Sequence, residues 1–101
     1  MATSTRMIRY RTKPEHAEEN ERLIRDVYAE LAAENPDGLQ YATFRLEDGV
    51  SFVHVAVTDD EKNPLTSSPA FAAFQADIGE RLAEGPTPAV ATVVGNFGLL
   101  K

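Results

Sequence analysis

Apolar and polar residues alternate with a period of two over residues 48–58. Val53, Val55 and Val57 fall on one side, Phe52, His54 and Ala56 on the other. β-branched residues at every second position make this the most strand-prone stretch of the chain. The same period predicts a strand over residues 6–12, with Ile8 and Tyr10 opposite Met7, Arg9 and Arg11. Another covers 39–47, with Ala42, Phe44 and Leu46 opposite Tyr41, Thr43 and Arg45. A last strand runs over 89–97, and Asp48-Gly49 is a tight-hairpin signal before the third.

Helical spacing fills the gaps. Ala17, Leu23, Ile24, Val27, Tyr28, Leu31 and Ala32 form one apolar stripe. Thr12 or Lys13 caps this helix, Pro14 sits in its first turn, and Glu15, Glu18 and Glu19 suit the positive end of its dipole. Asn35-Pro36-Asp37-Gly38 ends it. Ser68-Pro69 starts a second helix, along which Phe71, Phe74, Ile78 and Leu82 share a face, and Gly85-Pro86-Thr87-Pro88 stops it. The polar run over 59–66 reads as a solvated loop.

The order is βαββαβ, the ferredoxin-like α+β pattern: a four-stranded antiparallel sheet with two helices on one face and strands one and three in the centre. Alternation assigns Ile8, Tyr10, Phe44, Leu46, Val53, Val55 and Val57 to the helix side. It assigns Arg9, Arg11, Tyr41, Thr43, Arg45, Phe52, His54 and Ala56 to the open side. An open face holding Phe52, Tyr41 and Ala56 is too apolar to stay wet, so a homodimer through that face is expected.

Composition narrows the function classes. A chain of 101 residues, 43% hydrophobic, forms one domain with a modest core, and the first five residues read as a polar tail. A net charge of −6 argues against nucleic acid or an anionic membrane as partner. Asp48 to Val55 mimics an RNA-binding strand motif, but Asp48 stands where a basic residue belongs and Val50 where a base-stacking aromatic belongs. The sequence has no cysteine, hence no disulfide and no thiolate metal site. Asp59-Asp60-Glu61 reads as solvated charge and not as a metal shell, no stretch is apolar enough to span a membrane, and no phosphate loop is present. A cytoplasmic location is the default expectation.

Several motifs together resemble one family. Thr12-Lys13-Pro14 leads into a Glu-rich helix, and Pro36-Asp37-Gly38-Leu39 leads into Tyr41. A Phe-containing third strand follows, and then Ser67-Ser68-Pro69-Ala70-Phe71 opens helix two. Over nearly its full length the chain resembles the antibiotic-biosynthesis-monooxygenase-like group of dimeric α+β barrels. The resemblance implies a homodimer through the open sheet faces. It also implies oxidation of a small aromatic, a quinol or a polyketide-like substrate, with no flavin or metal cofactor. The haem-degrading branch carries an Asn on strand one, a Trp on strand three and a His before helix two. The corresponding positions here lie near Met7, Val57 and Leu65, and the chain has no Trp.

His54 is the candidate catalytic residue, a general base or proton relay for a phenolic substrate. The structural reading, a buried imidazole bonded to a Tyr, a carboxylate or a carbonyl across the dimer, weighs more heavily. Arg9, Arg11 and Arg45 are candidate anion clamps, with intersubunit ion pairing as the alternative. Tyr41 and Phe52 are candidates to stack on an aromatic ligand, or to pack in an interface. His16, in the first helical turn, reads as solvated. By residues alone, a dimer that binds a small apolar or anionic ligand without turnover leads over the monooxygenase, because no catalytic constellation is visible, and a purely structural module is the third alternative.

Overall fold

The computed structural model describes residues 3–59 and 63–99. Strand β1 (Thr3–Thr12) is followed by a 3-10 turn (Pro14–His16) and helix α1 (Ala17–Glu34). Strands β2 (Leu39–Arg45) and β3 (Ser51–Asp59) come next, then a second 3-10 turn (Pro64–Ser67). Helices α2 (Pro69–Gln75) and α3 (Ile78–Arg81) lead into strand β4 (Leu82–Ala91). The four strands form one antiparallel sheet in the order β2-β3-β1-β4, so strands one and three are central as expected. This is the ferredoxin-like α+β fold.

Local chemistry sets the element ends. Pro14 opens the turn before α1, and Asn35 closes the helix in a left-handed conformation (φ 45°), its N–H bonded to the Leu31 carbonyl at 2.7 Å. Asp48 holds the β2–β3 turn by accepting from Val50 N, Ser51 N and Ser51 Oγ at 3.0, 2.8 and 2.6 Å. Those bonds, the Ser51 hydroxyl first, hold its carboxyl at a pKa of about 2. Ser68 caps α2 by accepting from Phe71 N at 3.0 Å, and Glu30 of α1 accepts from the Ser68 hydroxyl and from Ala70 N. α2 is thus tied to α1 by its first turn.

Several expectations are corrected. Thr3–Thr5, read as tail, are strand: Thr3 pairs with Asp59 and Thr5 with Val57. The second helix is two short ones, because Asp77 takes a left-handed conformation (φ 58°) between them. Leu82 starts β4 and does not end the helix, and Gly85-Pro86-Thr87-Pro88 lies inside that strand. β4 is an edge strand, so prolines lacking an N–H are tolerated on its unpaired side. Gly85 (φ 93°) is needed there: a Cβ would lie 3.0 Å from the Arg9 carbonyl oxygen and from Tyr10 Cβ, where the β1–β4 register shifts. The run over 59–66 contains a 3-10 turn with buried Leu65, so it is not wholly a solvated loop.

The main correction concerns the sheet faces. In the observed register Tyr10 pairs with Phe52 and Ile8 with His54, while Thr43 pairs with His54 and Arg45 with Phe52. Paired residues share a face. Tyr10, Phe52 and His54 therefore face the helices, with Tyr41, Thr43 and Arg45 beside them, and the core is Tyr10, Ile24, Val27, Phe52, Leu65, Phe74 and Leu82. The valines take the other side. Val53, Val55, Val57 and Phe44, expected inside, lie on the open face with Met7, Arg9 and Arg11. Met7 and Phe44 are 41% and 45% exposed.

Candidate functional site

Between the helix side of the sheet and the α2–α3 segment lies a cavity of about 680 Å3. Its sheet wall is Ile8, Tyr10, Tyr41, His54 and Ala56, and its opposite wall is Leu65, Phe71, Phe74 and Ile78. Arg6 and Asp59 also line it, and Arg6 is exposed. The volume falls in the range of small-molecule sites, and the mix of aromatic walls with a few converging polar groups is typical of them.

His54 is the hub of the polar groups. It is 5% exposed. Its Nε2 lies 2.7 Å from the Tyr10 hydroxyl, and its Nδ1 lies 2.6 Å from the Tyr41 hydroxyl and 3.2 Å from Thr43 Oγ1. Tyr28 bonds Thr43 at 2.8 Å and stacks on Tyr41, ring centroids 5.2 Å apart. On the far side, Asn20 donates to the Tyr10 hydroxyl at 2.9 Å, and Arg81 Nε donates to Asn20 Oδ1 at 3.2 Å. The relay runs from α3 across α1 to three adjacent strands, β1, β3 and β2.

Burial governs the electrostatics. Desolvation pushes His54 down to a pKa of about 4, so the imidazole is neutral at pH 7. Desolvation also pushes the Tyr10 hydroxyl up to about 12, against weaker opposing effects of the Asn20 hydrogen bond and the Arg81 charge. The Tyr41 and Tyr28 hydroxyls are raised by the same cause. Arg81 is a buried cation, 4% exposed. Its guanidinium donates to the Phe74 carbonyl and, at 3.1 Å, to the Ala76 carbonyl, both at the C-terminal end of α2, and lies over the Phe74 ring.

Of the residues singled out from sequence, His54 and Tyr41 line the cavity and are hydrogen-bonded to each other. Phe52 faces the same side but is buried in the core, stacked on Tyr10 at 5.6 Å. The expected arginine clamp beside His54 does not form. Arg9 and Arg11 point to the opposite face, where Arg11 pairs with Glu84 at 2.9 Å. Arg45 is on the His54 face but pairs with Glu18 and Glu21 of α1, both at 2.9 Å. The hydrogen bond to Glu21 raises Arg45 and lowers Glu21. His16 bonds Glu19 at 3.0 Å at the surface. Asp60 and Glu61 lie outside the described residues. Among the described residues, no group of three or more His, Cys, Asp or Glu could hold a metal, and no helix is long and apolar enough to cross a membrane.

Sequence reasoning missed Arg6, Tyr10 as a polar site residue, Asn20 and Arg81. Two of these carried a signal. Arg6 has the parity of Ile8 and Tyr10, which places it on their face. Asn20 lies three residues after Ala17 and four before Ile24, a polar residue on the apolar stripe of α1. Nothing local marks Arg81, whose partners come from α1 and the end of α2.

No family model matches the sequence, and no curated protein matches it. Solved structures do match. Rv0793 from Mycobacterium tuberculosis aligns with a TM-score of 0.71 at 18% identity, over 94% of this chain and 98% of that one. An antibiotic biosynthesis monooxygenase aligns with a TM-score of 0.72 at 18% identity, over 91% and 99%. A variant of SnoaB, a cofactor-independent oxygenase from Streptomyces nogalater, aligns with a TM-score of 0.68 at 17% identity, over 97% and 99%. The chain thus has the fold of the antibiotic biosynthesis monooxygenases, as its motifs suggested. At these identities the likeness is one of fold.

Proposed function

We propose that this protein is a cofactor-independent monooxygenase acting on a small aromatic, a hydroxylated anthrone or quinol, within a homodimer. The observation that carries the reading is the cavity itself: aromatic walls facing a buried Tyr10–His54–Tyr41 hydrogen-bonded cluster. Such walls hold a flat ring system, and the Tyr41 hydroxyl bonds its oxygen. Phenolic substrates of this kind lose a proton to water to give a stabilised anion. The Tyr41 hydroxyl beside that oxygen, with the Arg6 cation among the lining residues, favours the anion. The anion then reacts directly with O2. For an anthrone the ring methylene becomes a carbonyl, one oxygen atom entering the product and the other leaving as water, so the substrate supplies all the electrons. SnoaB, of the same fold, is a cofactor-independent oxygenase, which supports the reading.

Oxygen uptake with hydroxyanthrones and quinols is the test. Uptake by the purified protein, lowered at least about tenfold in Tyr41→Phe through loss of a hydrogen bond to the anion, is the expected result. No uptake above the uncatalysed rate with any of them sinks the proposal.

One observation favours a second reading, ligand binding without turnover. Both ring nitrogens of His54 are already engaged by protein hydroxyls, so it is not a free base. Thermal stabilisation by the same aromatics with no oxygen consumed is its signature.

A further inference from the structure

The hydrogen-bond cluster behind the cavity has a direction, and the direction follows from donor chemistry alone. Arg81 can only donate. Its Nε faces Asn20 at 3.2 Å, so the facing atom of Asn20 is the carbonyl oxygen Oδ1. The amide nitrogen of Asn20 therefore faces Tyr10 and donates to its hydroxyl oxygen at 2.9 Å. Tyr10 has one hydroxyl hydrogen, and its other polar neighbour is His54 Nε2 at 2.7 Å. If Nε2 carried a hydrogen, two donors would meet at Tyr10 and the Tyr10 hydrogen would have no acceptor in a buried site. Nε2 is therefore the acceptor. The neutral ring must then carry its hydrogen on Nδ1, which donates to the Tyr41 oxygen at 2.6 Å.

We propose that Asn20 and Arg81 are positioning residues that fix His54 in the Nδ1–H tautomer, and that the chain ends in the hydroxyl hydrogen of Tyr41, offered to the cavity. The cavity then selects aromatics by an acceptor oxygen, a quinone or aryl ketone carbonyl or a phenolate. This rests on reading the cavity as the ligand site. Each link hands its hydrogen one step further from Arg81, and Tyr41 receives from His54 with its own hydrogen left over. Within the protein the Tyr41 hydroxyl also bonds Thr43, which is itself bonded to Tyr28 at 2.8 Å, and a ligand oxygen displaces Thr43 as the acceptor. Arg81 matters because it cannot reverse: a neutral donor–acceptor in its place would let the whole chain flip.

The test reads the tautomer directly. The sequence has two histidines, so His16→Gln leaves His54 alone, and long-range 15N–1H correlation at pH 8 distinguishes its ring nitrogens. The expected spectrum has a protonated Nδ1 and a bare Nε2. A protonated Nε2 overturns the proposal, and this measurement needs no substitution in the network. In Asn20→Asp the carboxylate accepts from Tyr10, so His54 is expected to switch to Nε2–H; a folded variant that keeps Nδ1–H overturns the role of Asn20. For the ligand, 1,4-naphthoquinone, which only accepts, is titrated into wild type and Tyr41→Phe. A Kd about tenfold weaker in the variant, with naphthalene unaffected, is expected from loss of one buried hydrogen bond. Equal affinities, or no binding to the wild type, overturn the acceptor-oxygen selection. Absence of oxygen uptake with these results intact counts against turnover alone.

Discussion

At the scale of single residues, His54 makes the pH dependence of stability predictable. Its folded pKa is about 4, against about 6.5 for an unperturbed histidine. As pH falls below about 6.5 the unfolded chain takes up a proton that the folded protein refuses until about pH 4. Over that window the unfolded state binds more protons, so stability is lost on acidification, on the order of 3 kcal/mol in all. The loss is complete below the folded value. Urea melts of wild type and His54→Gln at pH 7.5 and 4.5 check it: the difference between them should shrink toward acid, whereas parallel losses would contradict it. Asn20 is the second sensitive residue. Asn20→Leu leaves the buried Arg81 Nε without its acceptor and the Tyr10 hydroxyl without its donor. A loss of about 3 kcal/mol or more by chemical denaturation is expected. A strand-borne imidazole bonded to a tyrosine was legible in the sequence, but its burial was expected across a dimer at the open face and comes instead from the helix layer. Asn20 and Arg81 were not read, since their meaning comes from partners ten and sixty-one positions away in sequence.

At the scale of elements, strand order and the helix that precedes β2 could be read from period and turn chemistry, but the inward side of β2 and β3 could not. Alternation marks two faces without saying which is covered. The valines of β3 are the more apolar set, so they were assigned to the helices. The helices instead cover Phe52 and His54, whose neighbours Tyr10 and Phe74 supply ring contacts and a hydrogen bond. The break in the second helix was equally hidden, because Phe71, Phe74 and Ile78 keep helical spacing across Asp77. α2 has only seven residues, too few to be stable without its anchors. Ser68 supplies one of them, capping Phe71 N and donating to Glu30. Ser68→Ala should therefore cost about 1–2 kcal/mol. Because Phe71 and Phe74 form a cavity wall, the same variant should bind 1,4-naphthoquinone more weakly. Undiminished binding at reduced stability would mean that the wall does not depend on the cap.

At the scale of the whole molecule, the exchange of faces strengthens the case for the proposed homodimer while changing the residues that make it. Phe52, Tyr41 and Ala56 no longer argue for an open apolar surface. Val53, Val55, Val57, Phe44, Met7 and Ala42 do, since register and parity put them together on the uncovered side of three adjacent strands. A patch of this kind on a lone small domain is costly to leave in water. Two copies packed face to face would bury on the order of 800 Å2 each, the size of a stable specific interface. Arg9 and Arg11 are on the same face, Arg9 opposite Val53, and Arg11 already pairs with Glu84. Val55 is central, with Met7 on one neighbouring strand and Ala42 on the other. Val55→Arg would set a guanidinium against its own symmetry mate across a two-fold axis. Sedimentation should give a dimer for wild type at micromolar concentration and a monomer for Val55→Arg, with the His54 tautomer unchanged because that ring faces the other layer. A wild-type monomer under those conditions removes the homodimer from the proposal and leaves the apolar face without an explanation. A dimer that survives Val55→Arg moves the interface off this face, to a surface where the valines play no part.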